Sequence, residues 1–216
     1  MKPTVSTFCV VVLACTLLVS TAQGVQEIVF DITAVRHYDT PFSDFVRNST
    51  LFNATDLLKT NDFSTCNPGD VSCCVTLSPS GSVSVFGGPG DMFDVIDTVT
   101  KHDYVFALSP EYKVVTAIEV CNGTSSSGGF KGCSKNPTAV RSALIRNNVS
   151  PDVWVHEFGH GQGQSDDNNC PAYIMNISAS NTNVVTSAHC TKFRTLKQPY
   201  HLGGTCGGSS PPSAAS

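Results

Sequence analysis

The 216-residue chain reads as an α+β domain. Three observations carry that reading. Residues 27–35 alternate and are rich in β-branched side chains, the period of a strand. Met92, Val95, Ile96 and Val99 recur at helical offsets. Ser150-Pro151-Asp152 then opens a second helix with a strong start signal.

In chain order, Met1-Lys2, an apolar run from about Phe8 to Val19 and small residues from Ser20 to Gly24 make a signal peptide over residues 1–24. Cleavage is expected after Ala22 or Gly24. The run is too short to span a bilayer, and no later segment could do so. The C-terminal end is not hydrophobic, so no glycolipid anchor is expected. Glu27–Val35 is the first strand. Ser43–Lys59 has some helical spacing and is ambiguous. Cys74–Leu77 and Ser82–Phe86, with Ser78-Pro79-Ser80-Gly81 between them, predict a hairpin. Gly87-Gly88-Pro89-Gly90 breaks the chain. Asp91–Lys101 follows as a helix capped by Asp91. Tyr104–Leu108 and Lys113–Val120 read as strands, Ser125–Gly129 as a flexible loop and Thr186–Leu196 as the last helix. Residues 25–206 have the size of one domain, without internal repeats. Residues 207–216 form a low-complexity Gly/Ser/Pro tail.

The chemistry is concentrated in residues 156–166, His156-Glu157-Phe158-Gly159-His160-Gly161-Gln162-Gly163-Gln164-Ser165-Asp166. The pattern is H-E-x-x-H-x-x-G-x-x-D. Side chains at i and i+4 share a helix face, so His156 and His160 can point at one ion. Neutral imidazole is a good Zn2+ ligand. Glu157 lies one step round the helix, where it can take a proton from a water beside the ion without ligating. Gly163 permits a positive φ, so the helix can stop sharply. Asp166 then arrives as a third ligand from outside the helix. Three protein ligands mark a catalytic rather than a structural zinc site. Asp167 is the rival ligand, but its offset is one residue too long. At about 100° per residue, Trp154, Val155 and Phe158 fall on the opposite side from the histidines, predicting one buried face and one cleft-facing face.

Nine residues after Asp166 comes Met175, within Ile174-Met175-Asn176. A methionine soon after the long zinc motif resembles the Met-turn of metzincins. The chain thus resembles a secreted metzincin metallopeptidase over residues 150–176. The aspartate in the third-ligand place departs from the usual histidine and is similar to the snapalysin group. The resemblance implies a metzincin-like zincin fold: a mixed twisted sheet with two long helices above, the active-site helix, and a small lower subdomain from about residue 164. It implies Met175 as an apolar floor beneath the zinc. It also implies one catalytic Zn2+ and an extended protein or peptide substrate paired with a sheet edge. That edge is expected at Lys113–Val120 or near Phe130-Lys131-Gly132. Glu157 would act as general base. An aspartate ligand should make the zinc a weaker Lewis acid and let acid release it.

Cys9 and Cys15 leave with the signal peptide. Cys66, Cys73, Cys74, Cys121, Cys133, Cys170, Cys190 and Cys206 remain, an even number that an exported chain can oxidise into disulfides. Two pairings have local logic. Cys121–Cys133 would close the loop between them. Cys170 would tie the Met-turn region to the terminal helix or tail through Cys190 or Cys206. No C-x-x-C pair supports a cysteine metal site. Glycosylation sequons stand at Asn48, Asn53, Asn122, Asn148 and Asn176. The formal charge of −4, without basic runs, predicts neither nucleic acid nor a membrane surface as partner, and the protein is expected to be a monomer. His37, His102, His189 and His201 lack partners at ligand spacing and read as surface or core residues. Gln162 and Gln164 read as structural. The first strand begins just after the signal peptide. Latency is therefore either absent or supplied by a segment such as Val25–Asp44. Three functions are open: a zinc endopeptidase, a metzincin-like binding glycoprotein without turnover, and a disulfide-rich glycoprotein with a fortuitous motif.

Overall fold

A computed structural model describes residues 25–59, 72–87, 112–117, 131–134, 142–177 and 184–206. The elements are β1 (Val25–His37), α1 (Asp44–Lys59), β2 (Val75–Phe86), β3 (Tyr112–Ala117), β4 (Gly132–Ser134), β5 (Ser142–Arg146), α2 (Pro151–Gly161), α3 (Ser187–Phe193) and β6 (Tyr200–Cys206). The six strands form one mixed sheet in the order β2-β1-β3-β5-β4, with β6 pairing β1. β1 is parallel to β2 and β3, and β3 is parallel to β5. β4 and β6 run antiparallel to their partners.

Side-chain alternation along these strands builds two cores, because successive residues point to opposite sheet faces. On one face Phe30, Ile32, Tyr112, Val114, Ala143 and Ile145 meet Leu51 and Leu58 of α1 and Trp154 and Phe158 of α2. On the other, Val35, Phe86, Val115 and Leu144 form a smaller cluster. Both long helices therefore pack on the same face. Phe158 joins α2 to the sheet through Phe30, with ring centroids 5.0 Å apart, and through Tyr112, at 5.2 Å. Trp154 stacks on Phe42.

Several expectations change. Residues 75–86 are not a hairpin but one strand, parallel to β1 along its length. Between Thr33 and Val35 of β1 the partner moves from Ser80 to Ser84, so β2 carries the extra residues as a bulge, with Gly81 at φ 58°. The N-terminus of α1 holds this bulge. Arg47 Nη1 donates to the carbonyls of Ser80 and Gly81, and Asp44 accepts from the Val83 amide. Pro79 is tolerated because β2 lies at the sheet edge among the described residues. The ambiguous Ser43–Lys59 segment is helical from Asp44. The described part of Lys113–Val120 cannot be the free edge, since β3 lies between β1 and β5; among the described residues the edge beyond β5 is β4, beside Lys131-Gly132. β5 and β6 have no counterpart in the sequence reading. Val25–His37 pairs with β2, β3 and β6, so this part of the Val25–Asp44 stretch is built into the sheet rather than lying apart as a latency segment. The last helix is shorter than Thr186–Leu196.

Among the described residues two disulfides are Cys73–Cys190 and Cys74–Cys206. They overturn the pairing of Cys170 with Cys190 or Cys206. Cys133 and Cys170 are also disulfide-bonded. Cys66, Cys121, Asn122 and His102, the helix expected at Asp91–Lys101, the strand expected at Tyr104–Leu108, the loop expected at Ser125–Gly129, and residues 1–24 and 207–216 lie outside the described residues. Asn48, Asn53 and Asn148 are exposed. Asn176 is not: it is buried, and its amide donates to the Cys170 carbonyl, which removes it as a glycan acceptor. No helix among the described residues is long and apolar enough to cross a membrane.

Candidate metal centre

Helix α2 positions two of the three ligand candidates. Ser150 occupies the N-cap in extended conformation, but its hydroxyl makes no capping bond; Pro151 starts the helix with a preset φ. The far end closes as a Schellman motif. Gly163, at φ 82°, donates to the His160 carbonyl, and Gln164 donates to the Gly159 carbonyl. The chain is thereby turned back beneath the helix, towards Asp166.

The two imidazoles are oriented by backbone. His156 Nδ1 lies 2.9 Å from the Ile174 carbonyl oxygen, and His160 Nδ1 lies 2.9 Å from that of Gln164. A carbonyl only accepts, so each Nδ1 carries the hydrogen and each neutral ring keeps a bare lone pair on Nε2. Those two Nε2 atoms face each other at 3.0 Å. Asp166 Oδ1 stands 3.4 Å from His156 Nε2 and 3.5 Å from His160 Nε2. Three electron-pair donors converging this closely repel one another unless a cation lies among them. A tetrahedral ion with bonds of about 2.0–2.1 Å sets its ligands roughly 3.3–3.4 Å apart. The donor set therefore fits a small divalent metal, and His156, His160 and Asp166 form a group able to hold one.

Glu157 does not join that group. Its carboxyl is buried beside β4, and its Oε2 has no hydrogen-bond partner among the described residues. Gly132 makes this approach possible, since a Cβ there would fall 2.7 Å from Glu157 Oε1. Burial, and secondarily the charge of Asp166, pushes the Glu157 carboxyl well above the usual carboxylate range. Burial, with His160 second, holds the His156 imidazole below its ordinary range. The metal-side face of α2 is thus more enclosed than an open cleft, with His156, Glu157 and His160 all buried.

Met175 is fully buried. A Cβ on Gly159 would fall 2.5 Å from its sulfur, so the thioether lies directly against the helix between the two histidines. Gly161 likewise leaves room for the Tyr112 ring. Asp167, the rival ligand, turns to His189, with Oδ2 3.2 Å from His189 Nε2. His189 is buried and paired rather than an idle histidine. It closes a capping box with Thr186 at a position where the usual pattern has Glu or Gln, so neither this cap nor its pairing with Asp167 is visible in the sequence pattern. His37 is buried against Phe86, and His201 is exposed beside Asp31. Gln162 is buried beneath Thr195, and Gln164 reaches the His189 carbonyl; both serve the turn.

No protein-family model and no characterised protein sequence matches the chain. Among solved structures it is similar to metalloproteinase-II from Bacteroides fragilis, at 11% identity and a TM-score of 0.49. The match covers 80% of this chain and 54% of the other, so the chain spans about half that protein's length. At that score the likeness carries no weight, and the chemistry of the site rests on its own residues.

Proposed function

We propose that the protein is a secreted zinc-dependent endopeptidase, with His156, His160 and Asp166 as the zinc ligands and Glu157 as the general base. One observation carries the reading. Two imidazoles with fixed tautomers turn bare nitrogens towards each other at 3.0 Å, with a carboxylate oxygen beside both. Two imidazoles and a carboxylate suit zinc, and three protein ligands leave room for substrate chemistry.

Bound zinc supplies Lewis acidity towards a peptide carbonyl and towards the attacking water. The remaining work falls to this chain. Glu157 takes the proton of the attacking water and passes it to the leaving amine. Its burial favours holding a proton between those two transfers. Met175 against Gly159 gives the helix a dry floor between the two histidines. An extended peptide would pair along β4, the last strand of the sheet among the described residues, beside Glu157. Export is supported by the disulfides, which need an oxidising compartment.

The test compares the secreted protein with Glu157→Ala. Zinc per chain and cleavage of casein are measured together. One zinc in both proteins is expected, with cleavage in the wild type alone, abolished by chelator. Zinc in both without cleavage by either would favour the binding glycoprotein. Neither protein holding zinc would sink the reading.

A further inference from the structure

We propose that His189 is a positioning residue for the metal centre: it holds Asp167 away from the ion, so that Asp166 is the aspartate delivered to it. The proposal rests on the metal-centre reading above.

His189 sits in the first turn of α3, buried, with its ring edge-on to Tyr173 at 5.4 Å between centroids. The Thr186 amide lies 3.1 Å from His189 Nδ1. An amide can only donate, so Nδ1 accepts and the neutral ring carries its hydrogen on Nε2. That N–H points at Asp167 Oδ2, 3.2 Å away. Asp167 Oδ1 meanwhile accepts from the backbone amide of Asn169 at 3.1 Å and from its side chain at 2.7 Å. The Asp167 amide donates to the Met175 carbonyl at 2.7 Å. Both carboxylate oxygens and the backbone of Asp167 are thus committed, and Asp166 is the next residue along the chain.

The same histidine reaches the second ligand support. Its carbonyl accepts from Gln164 Nε2 at 3.4 Å, and the Gln164 carbonyl is the one that orients His160. A phenylalanine would pack on Tyr173 equally well. A partly buried imidazole–carboxylate pair costs desolvation that an apolar residue avoids. What the pair provides is register: two adjacent aspartates compete for one ion, and only one is left free to reach it.

Two substitutions separate the ring's two contacts. His189→Asn places an amide oxygen where Nδ1 was, keeping the Thr186 contact and losing reach to Asp167. His189→Gln places an amide nitrogen where Nε2 was, keeping the Asp167 contact and losing the cap. Thr186→Ala is the control that weakens α3 alone. Zinc affinity is read by chelator competition, and thermal unfolding is followed on the metal-free proteins. His189→Asn should bind zinc about 10–100-fold more weakly, the usual cost of removing a support behind a ligand. His189→Gln and Thr186→Ala should stay within about threefold of wild type, whatever their midpoints. If His189→Asn fails to fold, Asp167→Ala breaks the same contact from its other end, with the same loss expected. Unchanged affinity in His189→Asn (or in Asp167→Ala, if that variant stands in for it), or affinity that merely follows the unfolding midpoint across all variants, would overturn the proposal. A wild-type protein that binds no zinc would instead fail the metal-centre reading beneath it, before any variant is compared.

Discussion

The two kinds of candidate ligand in this group are held by different physics. His156 and His160 ride on α2, where every residue from Asp152 to Gly161 is buried, and each ring is pinned by a backbone carbonyl. Asp166 rides on the loop beyond Gly163, with its side chain 35% exposed. Its place is set from outside, by Asp167, His189 and the α3 helix behind them. Helix geometry fixes the histidine pair locally, whereas the aspartate depends on tertiary contacts. Damage to the fold should therefore reach the metal through the loop first.

The largest effect expected is from Asp166→Ala, which should lose zinc and cleavage together while the helix remains folded. Zinc per chain after dialysis, with circular dichroism, checks it; a full complement of zinc would remove Asp166 from the ligand set. The next is the paired change Cys73→Ser with Cys190→Ser. That bond ties α3 to residue 73 across 117 positions of chain. Its loss should cost about 2–5 kcal/mol of stability, read by urea unfolding. Zinc affinity should fall too, because α3 carries His189. Affinity unmoved by that change would mean the loop does not lean on α3.

The helix side of the comparison was the more legible in the sequence, for the same physical reason. The start at Ser150-Pro151, the i, i+4 histidines and the stop at Gly163 are local signals, and α2 follows them to within a residue. β1 was legible because its alternation is local too. α1 was not, because it inverts the usual pattern: Phe45 and Phe52 are exposed while Arg47 is buried to hold the β2 bulge. The Ser78–Gly81 stretch has turn composition, yet the parallel partner β1 and the α1 side chains override it. β6 includes two glycines and is mostly exposed; its strand state comes from pairing with β1 and from Cys74–Cys206, neither visible locally. Within the site, Asp167 and His189 are 22 residues apart, and no spacing rule connects them. Long-range pairing is the part that a single sequence does not display.

Smaller changes can sharpen the contrast. Gly159→Ala would press on Met175 beneath the histidines, and overpacking of this kind costs about 1–3 kcal/mol. Met175 is unbranched and can shift, so zinc affinity should change little. Gly163→Ala forces a side chain into the left-handed region, at about 1–2 kcal/mol, and moves the start of the Asp166 loop. Its stability loss should be similar, with a clearly larger loss of zinc affinity. Equal affinity losses from the two would erase the distinction between helix-held and loop-held ligands.

The smallest effect is one of pH, and it belongs to the loop side. Burial holds the His189 imidazole below its ordinary range, while Asp167 opposes the shift. A lowered folded-state value means that the unfolded chain binds this proton first as pH falls. Stability from this residue is therefore fully present above about pH 6.5, declines between there and the folded value, and levels off below it. Metal-free wild type and His189→Gln should diverge across that window, the wild type losing more of its unfolding midpoint between neutral pH and pH 5. Glu157 and His156 also titrate differently in the folded chain, but both are present in each protein and cancel in the difference. Parallel curves would show that His189 keeps its proton equilibrium on folding. The Asp167 contact would then be strong enough to offset the burial of the ring completely.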